Sequence, residues 1–386
     1  MPSRRLTRPV LLALAALALP AGVASAAPAR PAERGGTQQQ AAFSPAVQRK
    51  LSLAIRNDMT DNRLPGVVVG IWAPGRGTYV RAFGIGNRTT GAPARVSDHI
   101  RIASITKTFT ATAVLQLVDQ GRVSLDDHLD RYVSGVPNGD RITVRQLLGM
   151  TAGVYDFTSD ERFGKQFNAN PAMPFSNADF FAILRRHKPA FAPGTQAVYS
   201  DSNYYLLSLI VEKVTGKTIA QAITDQIIEP LGLRHTSFPA TPAMPQPFAQ
   251  GYFGGADGTA PLVDATRSNP AVSLGAGAMV STLGDLRRWS DALVNGTLLS
   301  PGLQAQRLRT TPFRNPGGVS IAYGLGILKL GRFWGHNGAI VGYSSAMFTL
   351  PGKATFVVWG NDSSNFSTPA TTIFFHLAAI LYPDAE

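Results

Sequence analysis

Arg101-Ile102-Ala103-Ser104-Ile105-Thr106-Lys107 opens an amphipathic helical pattern: from Phe109 to Leu117 apolar residues recur at three- and four-residue intervals, and Gly121 follows as a C-cap. A serine at a helix N-terminus with a lysine three residues on places hydroxyl and amine on one face, where the amine can take the hydroxyl proton. Such a nucleophile needs no histidine. The same spacing also arises by chance as a helix cap followed by a solvated lysine, so its meaning rests on what surrounds it.

Upstream, Gly66 to Trp72 is an apolar run, Pro74-Gly75-Arg76-Gly77 a turn, and Thr78 to Gly86 a returning strand, which together predict an antiparallel hairpin. Ser44 to Met59 carries Val47, Leu51, Ala54 and Ile55 at helical spacing. At the N-terminus, Arg4, Arg5 and Arg8 precede the apolar run Val10 to Leu19, then Pro20 and Ala24-Ser25-Ala26. Residues 1–26 therefore read as a secretory signal peptide cleaved near Ala26, residues 27–43 as a disordered leader, and 44–386 as the folded domain. The expected location is outside the cell, secreted or wall-associated.

Downstream, Thr143 to Leu148, Asn177 to Leu184 and Tyr204 to Val214 are helical pieces between loops rich in Pro, Gly, Asn and Thr, with Gly251 to Pro261 the loosest loop. Thr282 to Leu293 reads as a capped helix. Tyr323 to Leu330, Phe333 to Gly335, Gly342 to Leu350 and Thr355 to Trp359 read as strands, and Thr371 to Tyr382 as a helix on the core, too short to span a bilayer. Strands at both ends with helices between predict an α+β fold. One antiparallel sheet, flanked by N- and C-terminal helices, would come from about 44–115 and 275–386, with a mainly helical region, about 116–274, inserted and a cleft between the two parts.

The 386-residue chain has no cysteine, which excludes disulfides, thiolate metal sites and cysteine nucleophiles. Its net charge of +12 falls by three, to +9, without Arg4, Arg5 and Arg8, and favours anionic wall polymers or membrane surfaces as neighbours. No basic helix, zinc finger or RNA-binding motif points to nucleic acid. G-x-S-x-G, H-E-x-x-H and G-x-x-x-x-G-K are absent, and His99, His128, His187, His235 and His376 show no metal-ligand spacing, so neither cofactor nor metal is expected.

Two further stretches complete the pattern: Tyr199-Ser200-Asp201-Ser202-Asn203 and Gly335-His336-Asn337-Gly338-Ala339. Burial of Lys107 would disfavour its ammonium form and suit it as a base, with Tyr199 relaying the proton to a leaving group. The order and spacing of the three motifs resemble the penicillin-recognising serine hydrolases, above all their secreted D-alanyl-D-alanine carboxypeptidases, and more distantly class C β-lactamases and family VIII esterases. Ile142 to Leu148, Ala152 to Asp156, Leu206 to Gly216 and Gly275 to Ala278 extend the resemblance over about Leu51 to Leu381.

The resemblance implies a β-lactamase/transpeptidase-like fold. It implies Ser104 as nucleophile, Lys107 as proton acceptor, Tyr199 as acid/base, and His336 where many relatives carry lysine. It further implies an oxyanion hole from the N–H groups of Ser104 and Ala339, and substrate contacts from Asp201, Asn203, Asn337 and Gly338. The implied reaction is carboxypeptidase cleavage of D-alanyl-D-alanine wall peptides through an acyl-enzyme, with β-lactams as acylating ligands. Alternatives are a small-ester or amide hydrolase or a class C-like β-lactamase of the same fold, and, in another class, a non-catalytic wall-binding protein.

The departures are informative. Asp201 stands where asparagine is usual, cannot donate to a substrate amide when ionised, and should raise the pKa of Lys107; Asn203 is the candidate to compensate for the lost amide. Asn337 replaces a threonine, and Leu328 lies near the place of a carboxylate-clamping arginine, for which Lys329 or Arg332 would substitute only in a suitable register. Asp156 and Asp160 read as loop caps, and Tyr155 and Phe157 as cleft-lining or core residues.

Overall fold

The structure is a computed structural model that describes residues 41–254, 260–313, 321–364 and 368–385. The expected signal peptide, most of the leader, and part of the loose loop at 251–261 lie outside the described residues. The leader's last residues do not float free. Thr78 N donates to the Ala41 carbonyl at 2.9 Å, and Phe43 is buried against the core, because the turn before Thr78 leaves an edge for this segment to pair with.

The main sheet is antiparallel with nine strands, built from β1 (Gly66–Ala73), β2 (Gly77–Asn87), β3 (Ala92–Pro93), β8 (Thr311–Pro312), β9 (Ile321–Tyr323), β10 (Leu328–Leu330), β11 (Phe333–Ile340), β12 (Tyr343–Leu350) and β13 (Ala354–Gly360). Their order is β3-β2-β1-β13-β12-β11-β10-β9-β8, so the first strand pairs the last and closes the two ends of the chain into one sheet. Two small ribbons, β4 (Ile100–Arg101) with β7 (Val280–Ser281) and β5 (Tyr252–Phe253) with β6 (Val263–Asp264), tie loops to it. The helices, in chain order, are α1 (Pro45–Asp61), α2 (Thr106–Asp119), α3 (Val144–Leu148), α4 (Glu161–Ala169), α5 (Asn177–Arg186), α6 (Asp201–Thr215), α7 (Ile219–Ile223), α8 (Pro270–Ser273), α9 (Leu283–Asn295), α10 (Pro301–Arg307) and α11 (Pro369–Leu381).

Every residue of β1, β12 and β13 is buried, as a sheet covered on both faces requires. Phe374 of α11 packs its ring against Phe333, Phe348 and Phe356 on one face. On the other face Ser290 of α9 shares a hydrogen bond with Thr349 of β12. Each buried phenylalanine is worth roughly 2 kcal/mol of transfer free energy, so the α11 side is anchored by burial rather than by polar contacts. The terminal helix therefore belongs to the core.

Two expectations need correction. The segment Tyr323 to Leu330 is a hairpin, not one strand: Gly324 and Gly326 turn the chain between β9 and β10, and Gly326, at φ +75°, sits where a Cβ would lie 2.0 Å from Ala111. Helix α2 is not amphipathic but buried nearly all round. Thr106, Thr108, Thr110 and Thr112 are dry yet satisfied, through the Met279 N–H, the Ile105, Gly275 and Thr108 carbonyls, and the Trp289 indole N–H.

Candidate active site

Ser104 stands in a single 3₁₀ turn, Ala103–Ile105, that runs into α2, so its N–H lies among the first-turn donors that have no partner within the helix. Ala103 just before it holds φ at +49°, a left-handed conformation that a residue with a Cβ adopts at a cost and that recurs at functional sites. Across from it runs β11. A Cβ on Gly338 would come within 2.8 Å of Ser104 N, so only glycine lets the strand approach the nucleophile this closely. Asn337, Gly338 and Ala339 line the same cleft as Ser104, Tyr199 and Asp201. Asn337 Nδ2 donates to Thr371 Oγ1 at 3.1 Å.

Lys107 Nζ is fully buried and lies 2.9 Å from Ser104 Oγ, 2.5 Å from Asp201 Oδ1 and 2.7 Å from the Ala276 carbonyl oxygen. As an ammonium it has a partner for each of its three N–H groups. As a neutral amine it keeps the two partners that can only accept, and its lone pair is left facing the Ser104 hydroxyl. Burial pushes the Lys107 pKa below its ordinary value; the Asp201 charge and hydrogen bond, and then Asp156, push back, but the net direction is down. The carboxylate expected to spoil the base thus moderates a shift that desolvation dominates.

Tyr199, just ahead of α6, holds its ring centroid 4.8 Å from Lys107 Nζ. Burial raises its phenol pKa well above the ordinary value and Asp201 adds to this, while a hydrogen bond with Ser104 acts the other way. It is a proton donor in the resting site. His336 is wholly buried and is not among the cleft-lining residues; its Nδ1 lies 2.6 Å from the Asn337 carbonyl oxygen and its Nε2 3.0 Å from Tyr323 Oη. Desolvation, and then the charge of Lys107, push its pKa down to about 3. It is therefore a neutral imidazole behind the site, not a cation in it.

Asn203, offered as a substitute for the missing amide, does not reach the cleft. It is buried on α6 with Nδ2 facing Met150 Sδ at 3.5 Å and Oδ1 without a partner. Leu328 is buried on β10, Lys329 Nζ stands 5.2 Å from the Trp334 ring centroid, and Arg332 is exposed at the following turn, so none of the three lines the cleft. Asp156 and Asp160 are indeed caps, accepting from Thr158 N and Phe163 N. Phe157 lines the cleft, whereas Tyr155 stacks on His187 at 3.8 Å.

The cleft measures about 570 Å³. Phe157, Phe163 and Phe167 with Val272 and Val341 form an apolar wall, and Asp160, bonded to Arg186 and His187, caps the helix that carries Phe163 and Phe167. Asp156 and Asp201 are the charged side chains on the described lining; no Arg, Lys or His is among those residues. Burial, and then the charge of Asp201, raise the Asp156 pKa to about 7. Sequence reasoning had passed over Asp156 as a wall of the site, and Phe163 and Phe167. Their four-residue spacing behind the Asp160 cap was the available signal.

The Beta-lactamase family profile matches residues 51–370. Protein flp of Staphylococcus aureus (strain MW2) is 31% identical over 63% of this chain and 48% of its own length, and Penicillin-binding protein 4* of Bacillus subtilis (strain 168) is 27% identical over 70% and 62%. The chain thus spans about half to three-fifths of the length of these curated relatives. Among solved structures, a D-stereospecific amidohydrolase from a Streptomyces species superposes with TM-score 0.76 at 31% identity, covering 88% of this chain and 99% of that one. D-amino acid amidase of Ochrobactrum anthropi SV3 gives TM-score 0.72 at 25% identity, covering 86% and 97%. With the profile spanning most of its length and Ser104, Lys107 and Tyr199 gathered at one cleft, this chain belongs to the beta-lactamase family of serine hydrolases.

Proposed function

We propose that the protein is a serine amidohydrolase acting on amides of amino acids, or of short peptides, that bear a free α-amino group and a large apolar side chain, of D configuration like the substrates of the D-stereospecific amidohydrolase and D-amino acid amidase it resembles. The observation that carries this is the charge of the cleft: two carboxylates beside an aromatic wall, and no cation among the described lining residues. A substrate ammonium finds a partner there. The terminal carboxylate of a D-alanyl-D-alanine peptide, which the carboxypeptidase reading requires the site to hold, finds none among the described lining residues.

Ser104 Oγ attacks the amide carbonyl while Lys107 takes its proton, and the oxyanion is held by the N–H groups of Ser104 and Ala339. Tyr199 gives its proton to the leaving nitrogen as the C–N bond breaks, and Lys107 returns a proton to the phenolate. Water then cleaves the Ser104 ester by the reverse proton path. The close contact of Lys107 with Ser104 supports turnover over a purely wall-binding role.

The test is a substrate panel. D-phenylalanine amide should be hydrolysed on the order of 100-fold faster in kcat/KM than its N-acetyl derivative, the size of effect expected when a buried charge loses its partner. Benzylpenicillin, with a carboxylate and no ammonium, should acylate Ser104 slowly, and Ser104→Ala should abolish every reaction. Preference for a D-alanyl-D-alanine peptide over the free amide would overturn the proposal. We also place the enzyme outside the cell on the pattern from Arg4 to Ala26; N-terminal sequencing of the exported protein should begin at about Ala27.

A further inference from the structure

Behind Tyr199 lies an aromatic cluster whose buried members, Tyr323 and His336, the mechanism above does not use. The rings of Tyr323 and His336 meet edge to face at 5.7 Å and 84°, those of Tyr199 and Tyr323 at 6.4 Å and 82°, and Phe313 stacks on the outer face of Tyr323 at 5.4 Å. Tyr323 and His336 are each 1% exposed, so solvent does not decide their protonation.

The hydrogen bonds fix the tautomer. The Asn337 carbonyl, 2.6 Å from His336 Nδ1, can only accept, so Nδ1 carries the proton and Nε2 presents its lone pair to Tyr323 Oη at 3.0 Å. The Tyr323 proton has a second candidate acceptor, Tyr204 Oη, but at 3.5 Å that contact is at the edge of a bond. Tyr204 gives its own proton to the Leu148 carbonyl at 2.9 Å and supplies none to Tyr323. Tyr323 therefore donates to His336.

We infer that Tyr323 is a positioning residue: by donating to His336 Nε2 it locks the imidazole in its neutral Nδ1–H form, which keeps a second cation away from Lys107 and keeps Tyr199 a phenol. The titratable groups facing His336 are Tyr323 from β9, Tyr199 from the loop before α6 and Lys107 from α2, with Tyr204 of α6 against Tyr323; among the described residues no carboxylate bonds the ring. A proton on Nε2 would add positive charge beside Tyr199 and ease its ionisation. It would also disfavour the ammonium that Lys107 becomes on taking the Ser104 proton, and so weaken the base. The inference rests on the proton-donor reading of Tyr199 given under Proposed function.

The experiment is Tyr323→Phe in the full chain, which keeps the ring packing and removes the hydroxyl alone. In ¹⁵N-histidine NMR the wild-type His336 should show the neutral Nδ1–H tautomer throughout pH 5–8. In Tyr323→Phe the Nε2 resonance should move toward the protonated form as pH falls, and kcat for D-phenylalanine amide should fall on the order of tenfold with KM unchanged, a fraction of what acid–base groups contribute. An Nδ1–H tautomer and a pH–kcat profile that are both unchanged in the folded variant would overturn the inference, as would an Nε2–H tautomer in the wild type. The NMR reading needs no substrate. A failure of the amidohydrolase reading, seen as no turnover of any amide by wild type, is thus distinguishable from a failure of this one.

Discussion

Lys107→Ala should lower kcat/KM for D-phenylalanine amide by on the order of 10⁴-fold, the upper end of what a general base contributes, with Ser104→Ala at least as severe. The lysine is the basic group within hydrogen-bond reach of Ser104 Oγ among the described residues, and Tyr199 cannot replace it while Asp201 and burial hold its phenol protonated. Removing a buried cation also leaves Asp201 without its partner, which destabilises the fold unless water reaches it. The Asp201 side chain is 25% exposed, so water does reach it, and the variant should fold with a lowered melting temperature. Propylamine added to Lys107→Ala should restore part of the rate, a response that a merely misfolded site would not give. In Asp201→Asn the sign runs the other way for the base. The carboxylate raises the Lys107 pKa, so its loss leaves desolvation opposed by the weaker effect of Asp156, and the acid limb of the kcat/KM profile should move to lower pH. A limb that stays fixed or moves up would show that Lys107 is not the group titrating.

The parts of this site that were legible in the sequence are those set by local geometry. Ser104 and Lys107 are one helical turn apart, so their spacing alone put hydroxyl and amine together. The caps at Thr282, Asp156 and Asp160 were readable for the same reason, since each side chain bonds a backbone N–H two or three residues on. What escaped depends on distant partners. Helix α2 looked amphipathic because its threonines are polar, but Gly275 and Trp289, more than 160 residues away, satisfy two of them and let the helix be buried. His336 read as a group of the site where relatives carry lysine; burial and the Lys107 charge make it neutral, and its Nε2 faces Tyr323 across a hairpin whose turn was itself read as strand. Asn203 shares a stretch with Asp201, yet two residues on a helix point about 200° apart, which carries its amide into the core.

Asp156→Asn should remove most of the preference for a free amino group, bringing the kcat/KM values of D-phenylalanine amide and its N-acetyl derivative from about 100-fold apart to within a few-fold. The carboxyl lines the cleft together with Phe157 and Thr158, and asparagine keeps its size and its ability to accept from Thr158 N, so the cap survives and the charge alone is lost. The wild type should show a matching pH signature. Because burial and Asp201 raise the Asp156 pKa to about 7, the group is neutral well below that pH and anionic above it. An ammonium substrate should therefore bind better as pH rises through about 7, until its own amine begins to lose its proton near pH 8. In kinetic terms KM for the free amide falls across that interval, KM for the N-acetyl amide does not, and in Asp156→Asn the two become parallel. Should the variant keep the full preference, the ammonium would have to rest on Asp201 instead, and the base would be sharing with the substrate the carboxylate it bonds.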